Sequence, residues 1–387
     1  MKNSRLSPPE EFERELEVDA LLLDVRQPEE YRQQHLRKAT LLPTDQIKTE
    51  IRQLAPDLDQ RLLLYCKSGK RSADAVEQLR EMGYTDLVDL QGGIDAWNQA
   101  GLDTVTVEGL TALQRERYSR QMLMPEVGVD GQLKLLNAKV LLLGAGGLGA
   151  PTALYLAAAG IGTIGLIDDD VVDTSNLQRQ VIHSTERVGM PKTTSARIFI
   201  EGLNPDVHVV EHRIRLNADN ILDIIADYDI IVDGADNFPT RYLLNDASVR
   251  LRKPVVSASI LGFDGQISTF VPYEGPCYRC LYPTPPPAEL APSCSAVGVL
   301  GVMTGTMGTL QANEVIKLVL GKGETEPRRE VFQPLIGRLL LYEALGTSIT
   351  ELKVRRDPNC PICGDDVPEI PAAELGQFPD YDLFCSR

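Results

Sequence analysis

The sequence predicts two α/β domains in series, and three observations carry that prediction. Short apolar runs alternate with helical patterns through the first hundred or so residues. A GxGxxG turn beginning at Gly144 lies between an apolar run and an Ala-rich helical stretch. Two CxxC pairs, Cys277/Cys280 and Cys360/Cys363, bracket the end of the second half.

The bulk properties agree. A chain of 387 residues is long enough for two or three domains with sizeable cores. Its 43% hydrophobic and 24% charged residues are those of an ordinary globular protein. A formal net charge of -16 disfavours nucleic acid and acidic membrane surfaces as partners, while leaving room for a local basic pocket around a small phosphate ligand. No apolar window approaches the roughly 20 residues of a membrane span; Val297–Met307 is too short and too rich in glycine. No leader pattern opens the chain, so the cytoplasm is the expected location. Four of seven cysteines fall in CxxC pairs, which in that compartment points to metal and thiol chemistry rather than disulfides.

In the first domain, Ala20–Val25, Ala39–Pro43, Arg61–Cys66 and Leu87–Leu90 read as buried parallel strands. Ser72–Gly83 reads as an amphipathic helix, capped by Ser72 and stopped by Gly83. The expected limits are residues 1–104, with a linker at 105–110 inside the polar, β-branched stretch Gly101–Gly109. The second domain, 111–364, opens with a charged helix from Thr111 to about Arg120. Ala138–Asp170 then reads strand, Gly-rich turn, helix, strand. Asp229–Asn237 and Lys253–Ile260 are further buried strands, Pro283–Pro292 a loop or crossover, and Gly305–Gly321 a helix. Residues 365–387 are expected to form a loose acidic tail, in which "YDLFC" has the makings of a docking segment.

Chemistry concentrates at three places. Gly144, Gly146 and Gly149 let backbone approach a nucleotide, the helix behind them favours its negative charge, and Asp168 ends the next strand where a carboxylate can take ribose hydroxyls. That turn fits NAD as well as ATP. The residues downstream of it favour ATP: transfer of a nucleotidyl group develops charge on the α-phosphate and pyrophosphate, which Arg179 and Lys192 would neutralise while Asp236 holds Mg²⁺. The two CxxC pairs supply four thiolates, a set suited to a closed tetrahedral Zn²⁺ site, with Tyr278 and Arg279 between ligands in structural roles. In the loop Cys66–Arg71 a cysteine follows a strand and the chain turns at once into a helix. Its backbone N–H groups, Lys67, Lys70 and Arg71 would favour an anionic sulfur, including a persulfide.

These motifs resemble two known families. From about Leu110 to Gly364 the stretches "RYSRQ", "GAGGLG", "DDDVVDTSNLQRQ", "GMPK", "DGADN", "CYRC" and "CPIC" resemble the MoeB/ThiF adenylyltransferases, relatives of ubiquitin-activating enzymes. That resemblance implies a Rossmann-like fold and ATP-dependent adenylation of the C-terminal Gly-Gly carboxylate of a ubiquitin-like sulfur carrier protein of the MoaD/ThiS kind. By position it implies that Gly147 and Asp168 contact the adenosine, and that Ser175, Asn176, Leu177, Gln178, Arg179, Lys192, Asp236 and Asn237 line the phosphate and metal region. It also implies that Arg120 reaches the ATP of the other subunit of a homodimer, and that Cys294 can bond covalently to the activated carrier. Residues 5–101 resemble single rhodanese domains through "LLLDVRQPEEY", the CxxGxRS loop and "LVDLQGGIDAW". This implies that Cys66 carries sulfane sulfur, drawn from a persulfide donor such as a cysteine desulfurase or from thiosulfate, with Arg71 orienting it. One segment departs from the family pattern: Gln34–Thr40 keeps His35 and Ala39 but lacks two glycines, and His35 is expected to be structural.

Together the halves predict an adenylyltransferase joined to a sulfurtransferase. An NAD-dependent oxidoreductase on the same fold would leave "SNLQRQ", Lys192 and the Cys66 loop without a task, and a non-enzymatic carrier-binding scaffold would need degenerate key positions, which are not found. No role is assigned to Cys385.

Overall fold

A computed structural model describes residues 5–16, 20–106, 109–286, 298–323, 331–367 and 378–381. The chain divides into two compact units, Met1–Met124 and Pro125–Arg387.

The first unit is built on five parallel strands, β1 (Arg5–Ser7), β2 (Leu21–Asp24), β3 (Thr40–Leu41), β4 (Leu62–Tyr65) and β5 (Leu87–Leu90), in the order β1-β5-β4-β2-β3. Every residue of β4 and β5 is buried, as expected for parallel strands covered on both faces. Alternation sorts their side chains: Leu62, Leu64 and Cys66 pack with Ile47, Ile51, Ala75 and Leu79, while Leu63 and Tyr65 pack with Phe12, Ile94 and Trp97. The helix after β4 spans Lys70–Glu81, beginning two residues before Ser72. Gly69, at φ +88°, takes the cap position because the chain must reverse sharply after Cys66, and only glycine enters that region without strain. Ser72 is therefore buried in the first turn rather than capping the helix. Gly83 ends the helix with φ +98°, in line with the sequence reading. In the expected linker, Val105 exchanges two 2.7 Å backbone hydrogen bonds with His35. The His35 ring stacks on Tyr31 at 3.8 Å and lies 2.9 Å from its carbonyl through Nδ1, a packing role.

The second unit carries β6 (Lys139–Leu143), β7 (Thr163–Ile167), β8 (His208–His212), β9 (Ile230–Asp233), β10 (Val255–Leu261), β11 (Asp264–Phe270), β12 (Arg338–Glu343) and β13 (Ser348–Lys353). Their order is β13-β12-β11-β10-β9-β6-β7-β8; β10 through β8 run parallel and β10 through β13 antiparallel. Val140 and Leu142 of β6 are fully buried among Ala153, Leu156 and Ile200, each contributing about 1.5–3 kcal/mol on transfer from water. The Gly149–Ala159 helix packs on a long helix, Gly301–Gly321, which starts four residues ahead of the expected Gly305. Small residues allow that approach: a Cβ on Gly308 would lie 2.6 Å from the Leu148 carbonyl oxygen, and Thr152 Oγ1 donates to Gly308 O at 3.0 Å.

The expected loose tail needs correcting where it is described. Tyr381 is buried and its hydroxyl donates to Asp246 Oδ2 at 2.7 Å, while the Arg250 guanidinium lies 4.0 Å from the centre of the Phe378 ring. Two aromatic side chains outweigh the acidic character of the segment, because their apolar area is removed from water against the Phe238–Arg250 helix. Among the described residues no helix is long and apolar enough to cross a membrane.

Candidate functional site

Each unit carries its own cluster of candidate residues. In the first, the end of β4 delivers Cys66 into a tight loop. Its sulfur is buried and receives hydrogen bonds from the Gly69 N–H at 3.1 Å and the Ser72 hydroxyl at 3.4 Å. The loop is held from behind by backbone: Ile94 N–H donates to Cys66 O at 2.9 Å and Asp95 N–H to Lys67 O at 3.0 Å. Gly93 makes this possible, since at φ +61° a Cβ there would run into the Cys66 carbonyl and lie 2.6 Å from that of Lys67. Arg71 does not touch the sulfur. Its guanidinium forms a two-pronged pair with Glu30 at 2.7 and 2.8 Å, which holds that carboxyl down at about 2, and acts on Cys66 through its charge.

In the second unit, candidate residues meet where β6, β7 and β9 end. Gly144 turns at φ +93°, with its Cβ direction 3.3 Å from Gly234 O, so the Gly-rich turn abuts the 234–237 segment after β9. Gly149 lets the helix start pass directly over the Gly144 carbonyl. Asp168, half-buried, accepts from the Ala145 N–H and the Asp170 N–H, each at 2.9 Å. Burial raises its pKa against the opposing charge of Lys192. Lys192 is itself buried, with Nζ 2.7 Å from the exposed Asp170 carboxylate. The 175–179 turn is drawn in through Gly147, whose Cβ would sit 2.9 Å from Thr304 and 3.7 Å from the Arg179 side chain. Arg179 donates to Ser175 O at 3.0 Å. Asp236 is exposed and accepts from Asn237 Nδ2 at 3.1 Å, while Asn237 caps the Phe238–Arg250 helix through Thr240 N–H. The sheet order places these residues at the carboxyl ends of parallel strands around β6, where strands are added first on one side (β7, β8) and then on the other (β9, β10), a location suited to an anionic nucleotide.

Sequence reasoning missed His183. Its Nε2 donates to Ala145 O at 3.0 Å and its Nδ1 accepts from Ser195 Oγ at 2.9 Å, so the imidazole clamps the Gly-rich turn. Burial pushes it down to about 4, keeping it neutral. Both contacts are made through space, and no spacing rule announces them.

The four CxxC sulfurs converge. Cys277 Sγ lies 3.9 Å from Cys280 and 3.6 Å from Cys360, and Cys280 Sγ lies 3.4 Å from Cys363. A Zn²⁺ with bonds of about 2.3 Å needs sulfur separations of about 3.8 Å, so the set fits a tetrahedral ion. Arg279, between two of the ligands, pairs with Asp246 at 2.9 Å through both prongs, and Asp246 also accepts from Tyr381. Cys294 and Cys385 lie outside the described residues.

The ThiF family model matches residues 118–362. This chain belongs to the ThiF family. A rhodanese-like domain model matches residues 8–100, around the Cys66 loop. The ThiF-family chain is 46% identical over 280 residues to a sulfur carrier protein adenylyltransferase of Thermus thermophilus, covering 71% of this chain and 98% of that one. It is 47% identical over 271 residues to the adenylyltransferase and sulfurtransferase MOCS3 of Aedes aegypti, covering 70% and 59%. Among solved structures, it resembles E. coli MccB with MccA-N7isoASN at 26% identity and TM-score 0.53, over 64% of this chain and 75% of that one.

The His183 clamp gives a pH signature. An imidazole whose folded pKa lies below its unfolded value supplies stability that is present above about 6.5 and lost as pH falls through about 4. Thermal melts of the ThiF-family chain should show this loss between those values, and His183→Gln should flatten it. A His183→Gln protein keeping the wild-type pH slope would contradict the neutral clamp.

Proposed function

We propose that this chain adenylates the C-terminal Gly-Gly carboxylate of a ubiquitin-like sulfur carrier with ATP, and then supplies the sulfur that replaces one carboxylate oxygen. The observation that carries the reading is the presence, on one chain, of a Gly-rich turn packed at the ends of β6, β7 and β9 and a buried sulfur held by backbone N–H and hydroxyl donors. The ThiF and rhodanese-like matches support it.

Gly144, Gly146, Gly147, Gly149 and Asp168 seat the adenosine. Ser175, Asn176, Leu177, Gln178 and Arg179, with Lys192 and Asn237, surround the phosphates, and Asp236 would hold Mg²⁺, which supplies charge neutralisation. The carrier carboxylate attacks the α-phosphorus and pyrophosphate leaves. The terminal sulfur of a Cys66 persulfide then attacks the acyl carbon, and AMP leaves with the bonding pair. The resulting acyl disulfide is cleaved by thiolate exchange, from Cys294 or an external thiol, giving the thiocarboxylate and a new disulfide. Zn²⁺ on Cys277, Cys280, Cys360 and Cys363 has no open position for substrate and would fix the end of the domain. The functional boundaries follow the motifs: 1–104, linker 105–110, 111–364 and tail 365–387. Joining the two activities in one chain raises the effective concentration of donor at the adenylate. The chain acts as a homodimer in the cytoplasm, with Arg120 serving the nucleotide of the partner subunit.

The test mixes the full chain with a Gly-Gly carrier, Mg-ATP and a sulfur donor, and weighs the carrier. Wild type should add the mass of a sulfur-for-oxygen exchange, and Cys66→Ala should stop at the adenylate. Undiminished thiocarboxylate with Cys66→Ala would remove the first unit from the reaction. Arg120→Ala and Asp236→Ala should each lose pyrophosphate release by at least about 10²-fold, as expected when a group that stabilises transition-state charge is lost. Mixed together they should regain a fraction of it, because one of the two sites in a mixed dimer is intact. No recovery would argue against the shared site.

A further inference from the structure

We propose that the first unit positions Arg120 for adenylation. A ladder of hydrogen bonds runs from the buried Asp24–Arg26–Tyr65 cluster through His35 and Val105 to Thr111, and fixes the helices that present the Arg120 guanidinium. The inference rests on the reading of Arg120 as the residue that serves the partner subunit's nucleotide, and deepens it.

The ThiF match begins at residue 118, yet the division between the two compact units falls after Met124. Arg120 therefore belongs to the unit that carries the Cys66 loop. It lies on the second of two short helices, Ala112–Arg117 and Ser119–Met122. Its side chain is exposed and forms no hydrogen bond or ion pair with another described residue. Helices of six and four residues do not hold themselves in water, so their place is set by what they are tied to.

The tie begins deep in the first unit. Asp24, Arg26 and Tyr65 are all buried. Arg26 grips Asp24 through Nε and Nη2 at 2.9 and 2.6 Å, and the Tyr65 hydroxyl donates to Asp24 Oδ2 at 2.6 Å. Losing either charge would leave the other uncompensated, so the cluster keeps one arrangement. It reaches out on both sides of His35. Arg26 Nη2 donates to Gln34 O at 2.6 Å, and the Leu36 N–H donates to the Tyr65 hydroxyl oxygen at 3.0 Å. Between them, His35 exchanges its two backbone hydrogen bonds with Val105. This is the segment that departs from the rhodanese pattern. Lys38, just before Ala39, stands where that pattern has glycine, and it takes φ +66°. A left-handed lysine is strained, and the turn persists because Arg26 and Tyr65 hold the chain before it and β3 holds the chain after it.

Val105 passes the tie on. It is buried and forms a second antiparallel bridge, to Thr111. Thr106 N–H donates to Leu110 O at 2.9 Å and Gly109 N–H to Thr106 O at 2.8 Å, and Leu110 is fully buried. Thr111 then opens the first helix with a reciprocal cap. Its hydroxyl accepts from the Gln114 N–H at 3.1 Å, and its own N–H donates to Gln114 Oε1 at 3.0 Å. Arg115 adds a bond to Thr106 Oγ1 at 3.4 Å. The connection is thus braced from His35 to the first helical turn. A guanidinium that serves another subunit's nucleotide on a loose tether would spend little time in the productive geometry, and a braced one arrives already oriented. Tyr65 directly precedes Cys66, so one buried cluster anchors both the sulfur loop and the path to Arg120.

The test is Val105→Pro in the full chain, which removes the N–H that donates to His35 O and leaves every motif residue in place. Pyrophosphate release should fall by about 10-fold or more, as expected when a reacting group loses its orientation. Sulfur uptake at Cys66, read as intact mass, should stay at the wild-type level. Mixing subunits then separates positioning from general damage. A Val105→Pro subunit keeps its own nucleotide site, so mixing it with Asp236→Ala should restore release, the Asp236→Ala subunit supplying a well-placed Arg120. Mixing it with Arg120→Ala should release no more than Val105→Pro alone, because the two variants fail at the same step. Wild-type release by Val105→Pro, recovery with Arg120→Ala, or no recovery with Asp236→Ala would each overturn the inference. Should Val105→Pro fail to fold by circular dichroism, a Gly-Ser insertion after Gly109 keeps the His35–Val105 pair, loosens the Thr111 bridge, and decides by the same mixing pattern. The mixture of Arg120→Ala with Asp236→Ala is the control. Its failure to recover removes the shared site and this inference together, whereas its recovery beside a fully active Val105→Pro overturns the inference alone.

Discussion

A side chain on Gly149 would collide with the carbonyl of Gly144, and one on Gly93 would collide with that of Cys66. Both contacts are backbone packed on backbone at the carboxyl end of a parallel strand. They do the same physical work, because a carbonyl approached this closely is fixed in direction and the turn that carries it is held in one conformation. In the second unit the fixed turn lies against Asp168 and Arg179. In the first it is the loop whose Gly69 N–H donates to the Cys66 sulfur.

The remaining features hold those two backbones in place. His183 and Asp168 grip opposite sides of Ala145, one at its carbonyl and the other at its N–H. The Arg71–Glu30 pair pins the helix that opens from the Cys66 loop. At the far end of the second unit, Asp246 joins Arg279, Tyr381 and the four-cysteine cluster into one buried polar group. A buried pair of this kind adds little net stability by itself, but losing one partner leaves an uncompensated charge, so it favours a single arrangement of the cysteine knuckle.

Much of this is legible in the sequence because the signals are local. GxGxxG, CxxC and the Cys66–Arg71 loop each encode a geometry within a few residues, and β4, and β6 after Lys139, are continuous apolar runs because both faces are covered. The features that escape the sequence depend on distant partners. β13 is exposed along its whole length, so no burial pattern marks it, and it exists through pairing with β12. β8 is only partly buried and forms beside β7 at the other edge. Ser72 has the composition of a helix cap, but the left-handed Gly69 takes that place. Asp89 reads as one polar letter in an apolar run, and its burial opposite Leu64 appears only when β5 is registered against β4. Arg71, at the end of the Cys66 loop, also has a partner that no local pattern announces, Glu30, some forty residues earlier in the chain.

The most direct measurement of the central claim is ATP binding by Gly149→Ala, followed calorimetrically beside sulfur uptake at Cys66 in the same protein. A Cβ at 149 must push the helix start away from Gly144, so ATP affinity should fall by at least about 10²-fold, equivalent to about 2.7 kcal/mol. Sulfur uptake, which relies on the separate contact at Gly93, should be unchanged. A folded Gly149→Ala protein that binds ATP as tightly as wild type would contradict the account.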